Sequence, residues 1–294
     1  MSGQDSGTPS GVIVLGAGGR LGRILRRVWS SGQVAGRDIT WVSRNPISSI
    51  STEKSVIWGP GASVAELPRG ASVLALWGVT PGPGRDLDAN VSLALDAQRL
   101  ARRIGADRVL HCSSSAIYAP DARPQDETAP PAPPNAYGRA KREMEQALLA
   151  RRGALPDDPR ACVMRLTNIG AADSLFGSLD SGAPMVIDQF ADGTGPARSY
   201  LAPLDLAAAL RVLLTYPLED LPALINLAGP APVAMADLAR TAGRAFDWRP
   251  APAGAMPMVN LDTTLQTRLI GPLPDSADPQ ALIRQWQEFG EPAA

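Results

Sequence analysis

Histidine occurs once and cysteine twice in the 294 residues, too few imidazoles and thiolates to build a structural or catalytic zinc site. Cys112 and Cys162 both fall in apolar, strand-like segments. A disulfide framework is therefore excluded, and two free buried thiols in a reducing, cytoplasmic setting are expected. An excess of one charge is also lacking. Lys and Arg number 28 against 29 Asp and Glu, a net charge of −1, which gives no electrostatic basis for binding nucleic acid or an anionic membrane. The longest apolar runs, such as VLALWGV from Val73, are strand-sized and far short of a membrane span. The opening MSGQDSGTPSG has neither the basic flank nor the apolar centre of a signal peptide, so residues 1–10 read as a disordered leader. What is present is ordinary globular composition, 45% hydrophobic and 19% charged, in a chain long enough for a large domain with an attached lobe.

Lysine is scarcer than any bulk figure suggests. There are two, Lys54 and Lys141, against 26 Arg. One of them stands four residues after one of the four tyrosines, in Tyr137-Gly138-Arg139-Ala140-Lys141. By chance, roughly 0.03 such Tyr-x-x-x-Lys matches are expected for this composition. On a helix the two side chains share a face, one turn apart. An ammonium near a phenol favours the phenolate, lowering a pKa that starts at about 10 and yielding a proton donor or acceptor usable near neutral pH. Asn135 is placed to cap that helix.

A nucleotide-binding pattern opens the chain. GVIVLG at 11–16 reads as a buried strand, followed by Ala17-Gly18-Gly19-Arg20-Leu21-Gly22 and an amphipathic helix. Strand, glycine turn and helix in that order form the context of a dinucleotide fingerprint, in which glycines let the backbone approach a pyrophosphate at the helix N-terminus. Gly16, Gly18, Gly19, Arg20, Leu21 and Gly22 are the candidate cofactor-binding residues there. The second strand, Asp38–Val42, ends in Ser43-Arg44 with no carboxylate for a ribose 2′-OH. A hydroxyl followed by a guanidinium suits a 2′-phosphate, so NADP(H) is favoured, with NAD(H) as the alternative.

Further strands are expected at Ser55–Trp58 and Ser72–Val79. The second of these brings Trp77 and Gly78 to the cofactor side. A long helix from Asp88 to Gly105 has Val91, Leu95 and Leu100 as its inner face and Gly105 as its C-cap. A strand at Asp107–Cys112 then delivers Ser113-Ser114-Ser115. The alternation implies a doubly wound parallel α/β sheet, a Rossmann fold, whose ligand crevice lies at the carboxyl ends of the strands. A seryl hydroxyl there can donate to a substrate oxygen while a tyrosine transfers the proton.

Taken together, these residues resemble the extended short-chain dehydrogenase/reductase superfamily, in its NAD-dependent epimerase/dehydratase-like branch. The resemblance runs from about 11 to 245. It is carried by the Gly16–Gly22 turn, Ser113-Ser114-Ser115-Ala116-Ile117-Tyr118, Tyr137-x-x-x-Lys141, and Arg165-Leu166-Thr167-Asn168-Ile169-Gly170. Asn90 and the Arg198–Leu206 block add to it. The resemblance implies Ser114, Tyr137 and Lys141 as catalytic residues, with Tyr137 and Lys141 also touching the cofactor. It implies Ser115, Asn168 and Arg198 as substrate contacts, and a homodimer. It further implies a dinucleotide-binding domain over 11–168 plus 199–228 and a small C-terminal substrate-binding lobe over 169–198 plus 229–294. Three departures stand out. Trp58-Gly59-Pro60 replaces an Asp near the adenine, an indole occupies position 77, and the block from Arg165 lacks its Tyr.

The function expected first is an NAD(P)-dependent oxidoreductase. Hydride passes between nicotinamide and a carbonyl or hydroxyl carbon of a small or sugar-like substrate, with Tyr137 as acid/base. A second expectation is a nucleotide-sugar epimerase or dehydratase retaining NAD, which Arg198 supports and the short C-terminal segment disfavours. A third is a non-catalytic NADP(H)-binding sensor on the same fold.

Overall fold

The computed structural model describes residues 11–47, 54–119, 121, 123–154, 157–181 and 183–291. The leader expected over 1–10 lies outside them. The strands are β1 (Val12–Leu15), β2 (Gln33–Val34), β3 (Arg37–Ser43), β4 (Lys54–Ile57), β5 (Ser72–Ala75), β6 (Arg108–Ser114), β7 (Arg160–Leu166), β8 (Asn168–Ile169), β9 (Met185–Gln189), β10 (Ala197–Arg198), β11 (Tyr200–Leu201), β12 (Leu224–Leu227), β13 (Val233–Ala234), β14 (Phe246–Pro250) and β15 (Met258–Val259). The helices are α1 (Arg20–Val28), α2 (Ala89–Ile104), α3 (Ala136–Leu149), α4 (Ser174–Asp180), α5 (Pro203–Thr215), α6 (Met235–Thr241), α7 (Thr264–Leu269) and α8 (Pro279–Phe289).

The main sheet runs in the order β12-β7-β6-β5-β1-β3-β2, with β4 also paired to β3. β1 pairs in parallel with β3 on one side and β5 on the other. The strand order thus reverses at β1, and a parallel sheet of this kind binds ligands beyond its strand carboxyl ends at such a reversal. All four residues of β1 are fully buried, as a strand covered on both faces requires. This is the doubly wound α/β fold expected from the alternation, with a short antiparallel strand, β2, at its edge.

The chain divides into two compact units. The first comprises 1–112, 143–163 and 213–223. In its core, α2 lays Ala97, Leu100, Ala101 and Ile104 against Ile13, Leu15, Val73 and Val109. Each fully buried Leu or Ile contributes roughly 1.5–3 kcal/mol. The inner face of α2 is Leu93, Ala94, Ala97, Leu100, Ala101 and Ile104. Of the three residues expected there, only Leu100 is fully inside; Val91 and Leu95 are half-buried at the border of the stripe. Gly105 closes the helix at φ 72°, the left-handed C-cap read from the sequence.

The strand expected over 72–79 stops at Ala75. Asn90, 1% exposed, holds the loop that follows. Its Oδ1 accepts the Val79 N–H at 3.1 Å, and its Nδ2 donates to the Val79 carbonyl at 3.0 Å and the Leu87 carbonyl at 2.8 Å. A side chain has taken the backbone groups a sheet partner would use.

The second unit comprises 113–142, 164–212 and 224–294. Besides its share of the main sheet it holds three small sheets: β13-β10-β15, β11-β8 and β14-β9. Its core gathers Leu175, Phe176, Tyr200, Val233, Leu238 and Leu282. Among the described residues, no helix is long and apolar enough to cross a membrane.

Candidate functional site

In the first unit the backbone turns sharply out of β1. Gly16 takes φ +92°, and a Cβ there would stand 2.7 Å from the Trp77 nitrogen. Gly22 is tighter still, since its Cβ would meet the Gly16 carbonyl oxygen at 2.4 Å. The Gly16 and Ala17 N–H groups donate to the Val42 carbonyl at 3.0 Å, and Gly19 N–H to Gly16 O at 2.9 Å. Gly18 is half-buried, with Arg23 Nη1 donating to its carbonyl; Leu21 is half-buried and Arg20 exposed.

Gly19 is the N-cap of α1 and offers no side-chain cap. No acidic residue lies in the first turn, and Arg26 and Arg27 lie in the last. A helix start with no side-chain cap, no competing carboxylate and a positive dipole end is built for an anion. The cradle therefore fits a dinucleotide pyrophosphate.

The neighbouring strand ends are aromatic. Trp77 stacks on Trp58 with ring centroids 6.0 Å apart at 27°, and among the described residues both buried indole N–H groups lack an acceptor. Gly78 is exposed, in the loop that Asn90 pins. Arg44 is exposed. Ser43 is buried and its hydroxyl donates to the Asn45 carbonyl at 2.6 Å, which turns it into its own loop.

In the second unit Ser114 ends β6 and caps a single 3₁₀ turn, its Oγ accepting the Ala116 N–H at 3.2 Å. That bond uses a lone pair and leaves the hydroxyl proton available to another acceptor. Tyr137 and Lys141 lie in the first turns of α3, which Asn135 caps by accepting the Gly138 N–H at 2.9 Å. Lys141 is 3% exposed, and its Nζ lies 5.9 Å from the centre of the half-buried Tyr137 ring. Gly138 presses α3 onto the serine turn so closely that a Cβ would sit 2.1 Å from the Ala116 carbonyl oxygen. The Ala132 N–H also donates to Ile117 O at 3.0 Å. The helix with Tyr137 and the turn with Ser114 are thus one packed assembly.

Tyr118, which ends the serine motif, has a different place. Its single hydroxyl proton has two acceptors in reach, the Asp126 carbonyl at 2.9 Å and Asn226 Oδ1 at 2.8 Å, and its oxygen accepts from Arg165 Nη1 at 2.8 Å. Arg165 also lies over its ring, 5.0 Å from the centre. Burial, the largest influence, pushes this phenol up from its ordinary value. Tyr118, Arg165 and Asn226 form a buried fastener for the proline-rich loop.

Asn168 and Arg198 belong to a polar group that the sequence did not reveal in full. Asn168 Nδ2 donates to Asp173 Oδ2 at 2.9 Å, and Asp173 caps α4 through Phe176 N–H at 3.1 Å. Asn168 pairs with Tyr200 across β8 and β11. Burial raises the Asp173 carboxyl above the usual carboxylate range, and burial with the neighbouring Asp173 charge raises the Tyr200 phenol. Arg198 donates to the carbonyls of Ala197 at 2.8 Å and Pro257 at 3.3 Å. Burial lowers its pKa, opposed by Tyr200, Asp173 and Asp188.

Ser115 lines a small cavity of about 40 Å³ with Asp121, Met256, Met258 and Asn260. A parallel bridge between Gln125 and Leu261 brings these distant segments together. Among the described residues no group of three His, Cys, Asp or Glu is placed to hold a metal.

The family model "NAD dependent epimerase/dehydratase family" matches residues 80–228, half of the chain. Solved structures share the fold at low sequence identity. MoeE5, in complex with UDP-glucuronic acid and NAD, is 20% identical with a TM-score of 0.75, covering 95% of this chain and 98% of its own. TunA, an NAD dependent NDP-hexosamine 5,6-dehydratase involved in tunicamycin biosynthesis, is 22% identical with a TM-score of 0.75, covering 95% and 96%. The UDP-glucose 4-epimerase of Thermus thermophilus, in complex with NAD, is 17% identical with a TM-score of 0.75, covering 95% and 98%. No curated protein matches the chain in sequence.

Proposed function

The chain belongs to the NAD dependent epimerase/dehydratase family, and from that premise we propose that it is an NAD-dependent enzyme acting on a nucleotide-linked sugar, with Tyr137 as acid/base. The observation that carries the reading is the Tyr137–Lys141 pair, fixed by Gly138 against the turn that holds Ser114. Gly16, Gly18, Gly19 and Gly22 would shape the turn, so that backbone N–H groups at the start of α1 could reach the pyrophosphate. Bound there, NAD supplies a hydride acceptor that can return the hydride.

The protein's own residues handle protons and charge. Tyr137 takes the proton from a sugar hydroxyl as that carbon is oxidised, and returns it when the carbon is reduced. The Lys141 ammonium stabilises the phenolate that can accept it. Ser114 donates its hydroxyl proton to the reacting oxygen, holding it beside Tyr137. Ser115, Asn168 and Arg198 serve as substrate contacts, Arg198 offering a cation to a phosphate.

NAD is preferred here to the NADP(H) that Ser43-Arg44 suggests. The Ser43 hydroxyl is already spent on Asn45, and the family is described by NAD. A reaction that gives the hydride back to its substrate needs no exchange of cofactor, whereas a net reductase must exchange it each turnover.

The test is to purify the chain, denature it and quantify the released dinucleotide, then incubate native protein with UDP- and dTDP-sugars. Retained NAD in near-stoichiometric amount with conversion of a nucleotide sugar supports the reading. An empty site with NADPH-dependent reduction of free carbonyl compounds overturns it in favour of a simple reductase.

A further inference from the structure

Asn226, fully buried in β12, spends its side chain on three other stretches of the second unit. Its Oδ1 lies 2.8 Å from the Tyr118 hydroxyl, and its Nδ2 donates to the Gln125 carbonyl at 2.9 Å and the Asp262 carbonyl at 3.1 Å. Its backbone N–H adds Glu127 Oε1 at 2.7 Å. A carboxamide offers one acceptor oxygen and two N–H donors, and here all three are engaged.

These stretches make up the two walls of the cavity beside Ser115 and the loop that joins them. Tyr118 follows directly on the 3₁₀ turn that carries Ser115. Asp262 follows the segment that carries Met256, Met258 and Asn260. Gln125 is bonded to that segment twice, its N–H donating to the Asn260 carbonyl at 3.2 Å and its carbonyl accepting the Asp262 N–H at 2.9 Å. The cavity encloses about 40 Å³. At roughly 10–15 Å³ for each water-sized group, that is the scale of one substituent rather than of a whole ligand. No Lys or Arg lines it, so an uncharged group suits it better than a carboxylate. Asn260 Oδ1 accepts the Ser199 hydroxyl at 3.4 Å, which leaves its amide N–H groups as donors for such a group. In a space this small, a shift of either wall changes what fits.

Resting on the nucleotide-sugar reading above, we propose that Asn226 is a positioning residue for specificity. Acting through Tyr118 and Asp262, it sets the spacing between the Ser115 wall and the Asn260 wall, and a small uncharged substituent of the sugar fits between them. The glycine cradle lies in the first unit, and neither Tyr137 nor Lys141 is among the partners of Asn226. Releasing the amide should therefore act on the sugar and spare the dinucleotide.

The test is calorimetric titration of the NAD-loaded full chain with UDP, UDP-glucose and UDP-N-acetylglucosamine. Wild type should bind at least one of the two sugars more tightly than UDP. Asn226→Ala should lose that advantage, while its affinities for UDP and NAD stay within a few-fold of wild type. Tyr118→Phe removes only the hydroxyl on Asn226 Oδ1; it should lose part of the advantage, and it carries the test if the alanine variant does not fold. Ser276→Ala is the control for general loosening. It deletes a buried hydroxyl of the same unit, bonded to Asp205 Oδ2 at 2.6 Å and to the Ala202 N–H at 2.9 Å. It should lower the denaturant midpoint and keep the preference for the sugar. A full preference in Tyr118→Phe and in any folded Asn226→Ala, or an equal loss in Ser276→Ala, would overturn the proposal. A wild type that binds UDP as tightly as either sugar would overturn this inference alone; one that binds none of the three would overturn the nucleotide-sugar reading and this inference with it.

Discussion

Gly138 and Ala116 approach so closely that a Cβ on Gly138 would stand 2.1 Å from the Ala116 carbonyl oxygen and 2.7 Å from Pro133 Cβ. The obstacle is backbone on one side and a stiff ring on the other, so neither can rotate away. The glycine inside the Tyr-x-x-x-Lys segment sets how near Tyr137 comes to the serine turn.

Gly138→Ala should therefore act on both stability and turnover. Overpacking of this kind costs about 1–3 kcal/mol, read as a lowered denaturant midpoint. Turnover should fall further than stability explains, because Tyr137 moves relative to Ser114, while dinucleotide affinity stays near wild type. Equal stability and turnover would show that the helix can shift without consequence.

Gly22→Ala tests the cradle. Its added methyl meets the Gly16 carbonyl oxygen and the Ala17 backbone, so the turn must open. Affinity for NAD, measured by calorimetric titration, should drop by about 1–3 kcal/mol, roughly 5- to 150-fold. Unchanged affinity would place the dinucleotide elsewhere.

Ala171 adopts φ 70°, a left-handed conformation that costs an L-residue roughly 1–2 kcal/mol. Glycine pays no such penalty there but loses more chain entropy on folding. Ala171→Gly should therefore stabilise the protein by a net of about 0.5–1 kcal/mol. Chemical denaturation gives the value, and a loss of stability would contradict the strain.

Asp173 sets a pH dependence whose sign is the reverse of a salt-bridged carboxylate. Burial holds its folded pKa above the unfolded value, so the folded state binds the proton more tightly. Its contribution is fully present below the ordinary carboxylate range and is lost as pH rises through the raised value. Asp173→Asn keeps an oxygen for the Phe176 N–H and should flatten the stability profile above the ordinary carboxylate range. Denaturant midpoints across mildly acid to neutral pH would show it; identical profiles would refute it.

Cys162 is fully buried, and burial pushes its thiol up to about 12. At pH 8 the native thiol should react with iodoacetamide only when the surrounding strand opens, so its labelling should slow with every stabilising condition. Rapid labelling of the native protein would contradict that burial.

What could be read from the sequence was local. The Gly16–Gly22 turn, the Tyr137–Lys141 pair and the Asn135 cap each lie within a few consecutive residues, where spacing alone fixes geometry. The parallel sheet followed from alternation of the elements. The loop after β5 was not legible, because Asn90 of the following helix takes the Val79 backbone groups there. Asp173 and Tyr200 meet only through the β8–β11 pairing, and Met256, Met258 and Asn260 reach Ser115 through the Gln125–Leu261 bridge. Segments brought together over such separations leave no periodic signal. Their polar residues looked like ordinary loop composition.

The central claim is that Tyr137 moves the substrate proton in an NAD-dependent reaction. Its most direct test is Tyr137→Phe, with NAD affinity measured by titration and conversion of nucleotide sugars followed by chromatography on the same preparation. Affinity should be unchanged within a few-fold, while turnover falls about 10²–10⁴-fold, the range for losing a general acid/base. Wild-type turnover by the Phe variant, with NAD still bound, would contradict the account.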